Sequence, residues 1–222
     1  MSASDVRQLI ADHAPAFEAY FALLTEANAV CNLTAVTERN AVFTKHFADS
    51  LLGLEFLPEK GTLLDVGSGA GFPAVPLCMV RPALVPTLVD SVNKKVAFLQ
   101  RLCAHMGIAA LCLHARAEDL KGKIPPQDAV VARAVAPLAT LAEYTLPYVK
   151  VGGVLVAYKA DGCAEEVAAA RHAVGLLGGG TPRIEYRRLD GETTRAFVLI
   201  EKRRPTPPLY PRGGNKPRTN PL

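Results

Sequence analysis

Three glycines at alternate positions, Gly67, Gly69 and Gly71, follow an apolar run in the segment LLDVGSGAGFP, residues 63–73. A buried strand that ends near Asp65 and turns through GxGxG leaves bare backbone where a ligand can approach. Glycine accepts positive φ there and presents no Cβ. Pro73 suits the first turn of a following helix, where its missing N–H costs nothing. The dinucleotide fingerprint GxGxxG, which seats a pyrophosphate on a helix N-terminus, has its third glycine one residue later. A nicotinamide dinucleotide is therefore the rival ligand, and an adenosyl group without pyrophosphate fits the spacing better.

A second carboxylate stands beside this turn. Asp90 closes the β-rich run TLVD, and the carboxyl end of the next strand in a doubly wound sheet borders the glycine loop. There it can accept from both ribose hydroxyls and would repel a 2′-phosphate. Alternatively, it caps the helix that starts near Val92. His46, Asp49 and Ser50 stand at i, i+3 and i+4, one face if 38–57 is helical. Lys159 ends another strand-like run. These four either line the pocket entrance or serve local backbone and water, and none is assigned a catalytic role.

The elements that must position these groups follow from periodicity. Helical spacing of apolar residues covers 4–28 and 38–57, so two helices precede the first strand. Short β-rich runs then occupy 62–66, 83–90, 108–114, 128–132 and 154–159, with helices near 73–80, 91–106, 137–147 and 163–177 between them. Such alternation builds a parallel sheet with right-handed crossovers. The runs 183–189 and 195–202 are joined by Asp190-Gly191 without a helix, which predicts an antiparallel hairpin. The fold class is α/β and Rossmann-like: a mostly parallel seven-stranded sheet with a C-terminal antiparallel hairpin and N-terminal helices.

Composition bounds the rest. At 222 residues and 50% hydrophobic, the chain can bury one core. Residues 1–203 are read as a single domain, 1–60 helical and 61–203 the Rossmann-like core. No apolar run reaches the roughly 20 residues of a membrane helix, and the first ten residues are too polar for a secretory signal, so a cytoplasmic protein is expected. Five cysteines without CxxC spacing predict buried free thiols and no metal. The net charge of +4 is uneven: all 21 acidic residues lie at or before Glu201, while 202–222 carry six basic residues and six prolines. The prolines predict that 204–222 is an extended, loose tail, and its charge suits an arm that touches phosphates. Removing it after Arg203 is then expected to leave cofactor affinity unchanged, the glycine loop being elsewhere.

The segments NLTAV (32–36), KHFADSL (45–51), LLDVGSGAGFPAVPL (63–77), VDSVNKKVAFL (89–99), HARAEDL (114–120) and RAVAPL (133–138) together closely resemble the bacterial RsmG family, also called GidB, over nearly the whole chain. That resemblance implies a class I methyltransferase that moves a methyl group from S-adenosyl-L-methionine to N7 of guanine 527 in 16S rRNA, within the 30S ribosomal subunit. It implies no metal and no membrane, and a monomer is expected. Carried over by residue, cofactor contacts fall on Gly67 and Phe72 of the glycine loop, on Ala117 and Glu118, and on Arg133, with Asp90 as the ribose ligand of the class. Glu118 can accept from the adenine amino group, or be an ordinary loop carboxylate. Arg133 can face the methionine carboxylate, an RNA phosphate or the guanine, or form a structural salt bridge. Ala74-Val75 departs from the family's usual glycine-isoleucine. Guanine N7 already offers a lone pair and loses no proton, so no general base is required; holding the methyl and N7 close and in line supplies several kcal/mol. An NAD-linked oxidoreductase, a small-molecule methyltransferase and an inactive RNA-binding protein are the alternatives, the basic tail speaking against the second and the intact glycines with Asp90 against the third.

Overall fold

The computed structural model describes residues 1–190 and 193–222. Seven strands form one sheet in the order β3-β2-β1-β4-β5-β7-β6. They are β1 (Gly61–Val66), β2 (Leu84–Asp90), β3 (Leu111–His114), β4 (Gln127–Arg133), β5 (Val149–Ala160), β6 (Arg183–Arg188) and β7 (Thr194–Glu201). The first five run parallel, while β7 is antiparallel to both β5 and β6. The expected mixed sheet is therefore present; of the hairpin turn Asp190-Gly191, Gly191 lies outside the described residues.

Side-chain alternation divides the core into two layers, as the twofold period of a strand dictates. Leu63, Ala129, Val131, Val156 and Tyr158 face the N-terminal helices and the helices Ala74–Val80 and Asn93–His105. Leu64, Val130, Ala132, Leu155 and Ala157 face the helices Leu138–Thr145, Ala164–Ala169 and Arg171–Leu176. Central strands covered on both faces are apolar throughout, which is why β1 and β4 read as continuous hydrophobic runs.

The N-terminal part departs from two simple helices. The first breaks into Ala3–Asp12 and Ala14–Cys31, with His13 between them and Pro15 in the first turn of the second. Ser2 and Asp5 form a capping box on the first, and Asn32 ends the second in the left-handed conformation at φ 49°. The segment expected to be helical over 38–57 winds as a short α-helix Arg39–Val42, a π-helix Phe43–Ala48, one turn Asp49–Leu51 and a 3₁₀ turn Leu54–Phe56. Wide π winding inserts an extra residue into the helical register, which α-periodicity cannot anticipate. It delivers His46 and Asp49 to the carboxyl edge of the sheet.

The tail also departs from expectation. Residues 205–222 do not stand free; they fold back over the second layer, where Tyr210 and Leu222 pack on the core and Pro211 and Pro217 are buried. Thr140 Oγ1 donates to Pro217 O at 2.9 Å, and Arg212 clasps Glu143, a carboxylate fully buried in the helix Leu138–Thr145. Proline removes N–H donors and so excludes ladder pairing, but it does not prevent docking through side chains and carbonyls.

Candidate active site

The turn after β1 is fixed from below. The Gly67 and Ser68 N–H groups both donate to Val89 O at 2.9 Å, Ser68 Oγ donates to Asp65 O and accepts from Val89 N, and Tyr20 Oη donates to Ala70 O at 2.6 Å. All three glycines have positive φ, at 76°, 57° and 98°. A Cβ at Gly67 would come within 2.8 Å of Val135 Cγ2, while one at Gly69 would meet only the Gly67 carbonyl at 3.8 Å. Backbone conformation thus disfavours side chains at both, and at Gly67 a Cβ would also displace the Val135 side chain. Pro73 lies just before the helix Ala74–Val80 rather than inside it. Ala74 and Val75 are fully buried, and the Ala74 N–H donates to Asp65 Oδ2 at 3.3 Å.

Above this turn opens a cleft of about 310 Å³. Four of the expected cofactor residues, Gly67, Asp90, Ala117 and Glu118, share its wall. Asp90 spends one lone pair of each oxygen on the backbone, accepting from Gly69 N and Val92 N at 2.9 Å each. It holds the glycine turn and the backbone of Val92, the residue before the helix Asn93–His105, which has no side-chain cap, and it lines the cleft. Glu118 is 8% exposed and makes no hydrogen bond or ion pair among the described residues. Its carboxylate opens onto the cleft, where a ligand that brings a donor can reach it. The bare turn and the two carboxylates that line the cleft suit an adenosine. The wall also includes Lys95, Arg116, Tyr144, Asn215 and Arg218, which periodicity and motif reading did not single out as site residues. Arg116 lies inside the segment HARAEDL and Lys95 inside VDSVNKKVAFL; Tyr144, Asn215 and Arg218 carry no signal tying them to the glycine loop.

Phe72 and Arg133 do not line this cleft. They form an adjoining cluster at the tips of β1 and β4, where the Arg133 guanidinium lies 5.2 Å over the Phe72 ring and His46 stacks on the same ring at 4.6 Å. Asp49, with no exposed surface, binds two cations: Oδ2 accepts from Arg133 Nη1 at 2.8 Å and Oδ1 accepts from Arg195 Nε. Arg133 is thus a salt-bridge partner and still 15% exposed at the sheet edge. His46 Nε2 lies 2.7 Å from the Thr34 hydroxyl, which accepts from Val36 N, and Nδ1 lies 3.1 Å from Lys45 O and 3.4 Å from Arg133 Nη2. Burial, then the neighbouring Arg133 charge, lowers the His46 pKa to about 4, so the ring is neutral at physiological pH. Ser50 Oγ donates to His46 O, and Lys159 Nζ donates to Ala136 O and pairs with Glu166; both serve structure rather than the cleft. Ala134, between the two groups, carries φ 57°, a conformation costly for a residue with a Cβ, and directs Ala134 to Ala136 along the cleft wall.

Beneath the turn, Asp65 is fully buried, and Oδ1 lacks a hydrogen-bond partner. Burial raises its pKa to about 7, against the opposing Ala74 N–H and the more distant Arg133. All five cysteines are free, three of them buried, and no group of three or more metal-ligating side chains occurs among the described residues. No helix among them is long and apolar enough to cross a membrane.

Sheet order, glycine turn and acidic β2 end together define a Rossmann-like methyltransferase. Solved structures with this fold include a methyltransferase from Pyrococcus furiosus (TM-score 0.61, 13% identity, covering 87% of this chain and 99% of that one) and TYW2 from M. jannaschii, determined in complex with AdoMet (TM-score 0.57, 12% identity, 71% and 76%). The family model of GidB, rRNA small subunit methyltransferase G, matches residues 13–186, and the chain belongs to that family. Its relatives include ribosomal RNA small subunit methyltransferase G of Moorella thermoacetica, 43% identical over 92% of this chain and 88% of the relative, and that of Limosilactobacillus reuteri (strain DSM 20016), 40% identical over the full length of both. The protein is an rRNA methyltransferase.

Proposed function

We propose that the chain uses S-adenosyl-L-methionine to methylate N7 of guanine 527 in 16S rRNA, with the 30S subunit as its cytoplasmic partner. The observation that carries the cofactor assignment is the cleft itself: a bare glycine turn flanked by Asp90, each of whose oxygens accepts a single backbone N–H, and by Glu118, whose carboxylate makes no hydrogen bond or ion pair among the described residues. Asp90 receives the ribose hydroxyls and Glu118 the adenine amino group, while the Gly67 backbone lies against the ligand. The bound group supplies an electrophilic methyl on a sulfonium centre. A monomer is sufficient for this arrangement, since every residue invoked comes from one chain.

Arg133 and Phe72 act at the adjoining edge, where the target base must enter. The guanidinium donates and never accepts, so it matches guanine O6, the neighbour of N7, or a phosphate of the same nucleotide. Asp49 and the Phe72 ring hold that guanidinium in place, and neutral His46 adds no second charge. Because N7 attacks with its own lone pair and releases no proton, positioning and exclusion of water are the tasks left to the protein.

Calorimetry with S-adenosylmethionine, S-adenosylhomocysteine and NAD tests the cofactor assignment. Binding of the first two and not the third is expected; binding of NAD alone overturns it.

A further inference from the structure

We propose that the C-terminal segment belongs to the cofactor site, with Arg218 and Asn215 forming the outer wall at its adenine end. This rests on the reading of the cleft as an S-adenosylmethionine site and extends it to residues that the glycine-loop motifs do not reach.

Two observations place the segment there. Asn215 and Arg218 line the same cleft as Gly67, Asp90 and Glu118. Tyr144 and Arg116 line that cleft with them. The segment is also anchored. Arg212 meets the fully buried Glu143 with Nε 2.9 Å from Oε1 and Nη2 2.7 Å from Oε2, and its own backbone N–H donates to Oε1 at 2.8 Å. Glu143 precedes Tyr144 in the helix Leu138–Thr145, so the clasp and the cleft wall share one rigid element. A two-pronged, charge-assisted contact fixes orientation as well as proximity. Pro217, in the short helix Lys216–Thr219 that carries Arg218, is buried and accepts from Thr140 Oγ1 through its carbonyl.

The chemistry of the two ends is complementary. Adenine offers an amino donor beside ring-nitrogen acceptors. Glu118 can only accept and Arg218 can only donate, so the pair reads both kinds of group. Arg218 is exposed and enters no ion pair or hydrogen bond through its side chain among the described residues, which leaves its five donors available. Asn215 holds φ 63°, the left-handed turn that aims the short helix at the cleft.

The test compares the full chain with Arg218→Ala and Asn215→Gly, measuring S-adenosylhomocysteine affinity by calorimetry and the salt dependence of binding to small-subunit rRNA. Neither side chain carries a structural bond, and glycine keeps the left-handed backbone at 215, so both variants should melt with the parent. Arg218→Ala is expected to raise the cofactor Kd about three- to tenfold, the size of one partly solvated hydrogen bond, with a smaller rise for Asn215→Gly. If the parent binds and both variants bind equally well, the wall assignment fails while the cofactor assignment stands. If cofactor affinity is unchanged but the log–log salt slope of RNA binding falls by about one charge, the segment is a phosphate-contacting arm instead and the proposal is overturned. A parent that binds no S-adenosylhomocysteine overturns both readings.

Discussion

Asp49→Asn should uncouple the two sides of the site, and its cost can be worked from the geometry. The Asp49 carboxylate is fully buried and divides its oxygens between Arg133 and Arg195, whose side chains are only 15% and 22% exposed. Removing one charge from a buried ion pair costs about 3–5 kcal/mol, because the partners are left in a poorly solvating place. Both guanidiniums reach the sheet edge and can recover some water, so a cost at or below the bottom of that range, about 2–3 kcal/mol, is expected here. For a chain of this size each kcal/mol lowers Tm by about 2–4 °C, giving a fall of about 4–12 °C. Arg133→Met keeps the apolar stem over Phe72 and leaves Asp49 its second partner, so its own cost should be nearer 1 kcal/mol. Denaturant unfolding of both single variants and the double variant measures the coupling directly, expected at about 1–2 kcal/mol. Methylation of small subunits should fall at least about tenfold in each single variant, since Arg133 is either absent or released. Additive stabilities together with unchanged turnover would refute the reasoning, because Asp49 would then hold Arg133 neither energetically nor functionally.

Two further outcomes follow from buried carboxylates. Asp65 has a folded-state pKa of about 7 against 3.8 for the free group, so the native state binds the extra proton between those values and stability should decline as pH rises from about 4 to 7 and flatten above. Asp65→Asn should remove that decline, visible as a smaller pH dependence of the denaturant midpoint; an unaltered profile would show that Asp65 is not its source. Asp90→Ala should weaken S-adenosylmethionine binding about tenfold or more, as loss of a charge-assisted contact does, and calorimetry at constant ionic strength reads it.

Much of the architecture was legible in the residues. The strand ends at Asp65, Asp90 and Arg133 follow from apolar runs, and the two-layer core follows from their alternation. Capping and ligand binding are both open to Asp90 from the sequence alone; in the fold it does not cap the helix Asn93–His105 but ties the glycine turn at Gly69 to Val92. The N-terminal region was less legible, since Pro15 splits one expected helix and the π-helix Phe43–Ala48 breaks the α-period of the next. The Asp49 clasp joins residues 84 and 146 positions apart in the chain, a pairing that no local period encodes. The tail was read from proline content and charge, which describe its secondary structure but not its docking; the Arg212–Glu143 contact decides that, and it spans 69 positions.

Methyl transfer to a single base tests the central claim most directly. Small subunits from a strain lacking this activity, incubated with the protein and isotopically labelled S-adenosylmethionine, should acquire label as N7-methylguanine at guanine 527 of 16S rRNA, located by cleavage at the modified base. Label at another atom or another nucleotide, or none with subunits that a related enzyme methylates, would contradict the account.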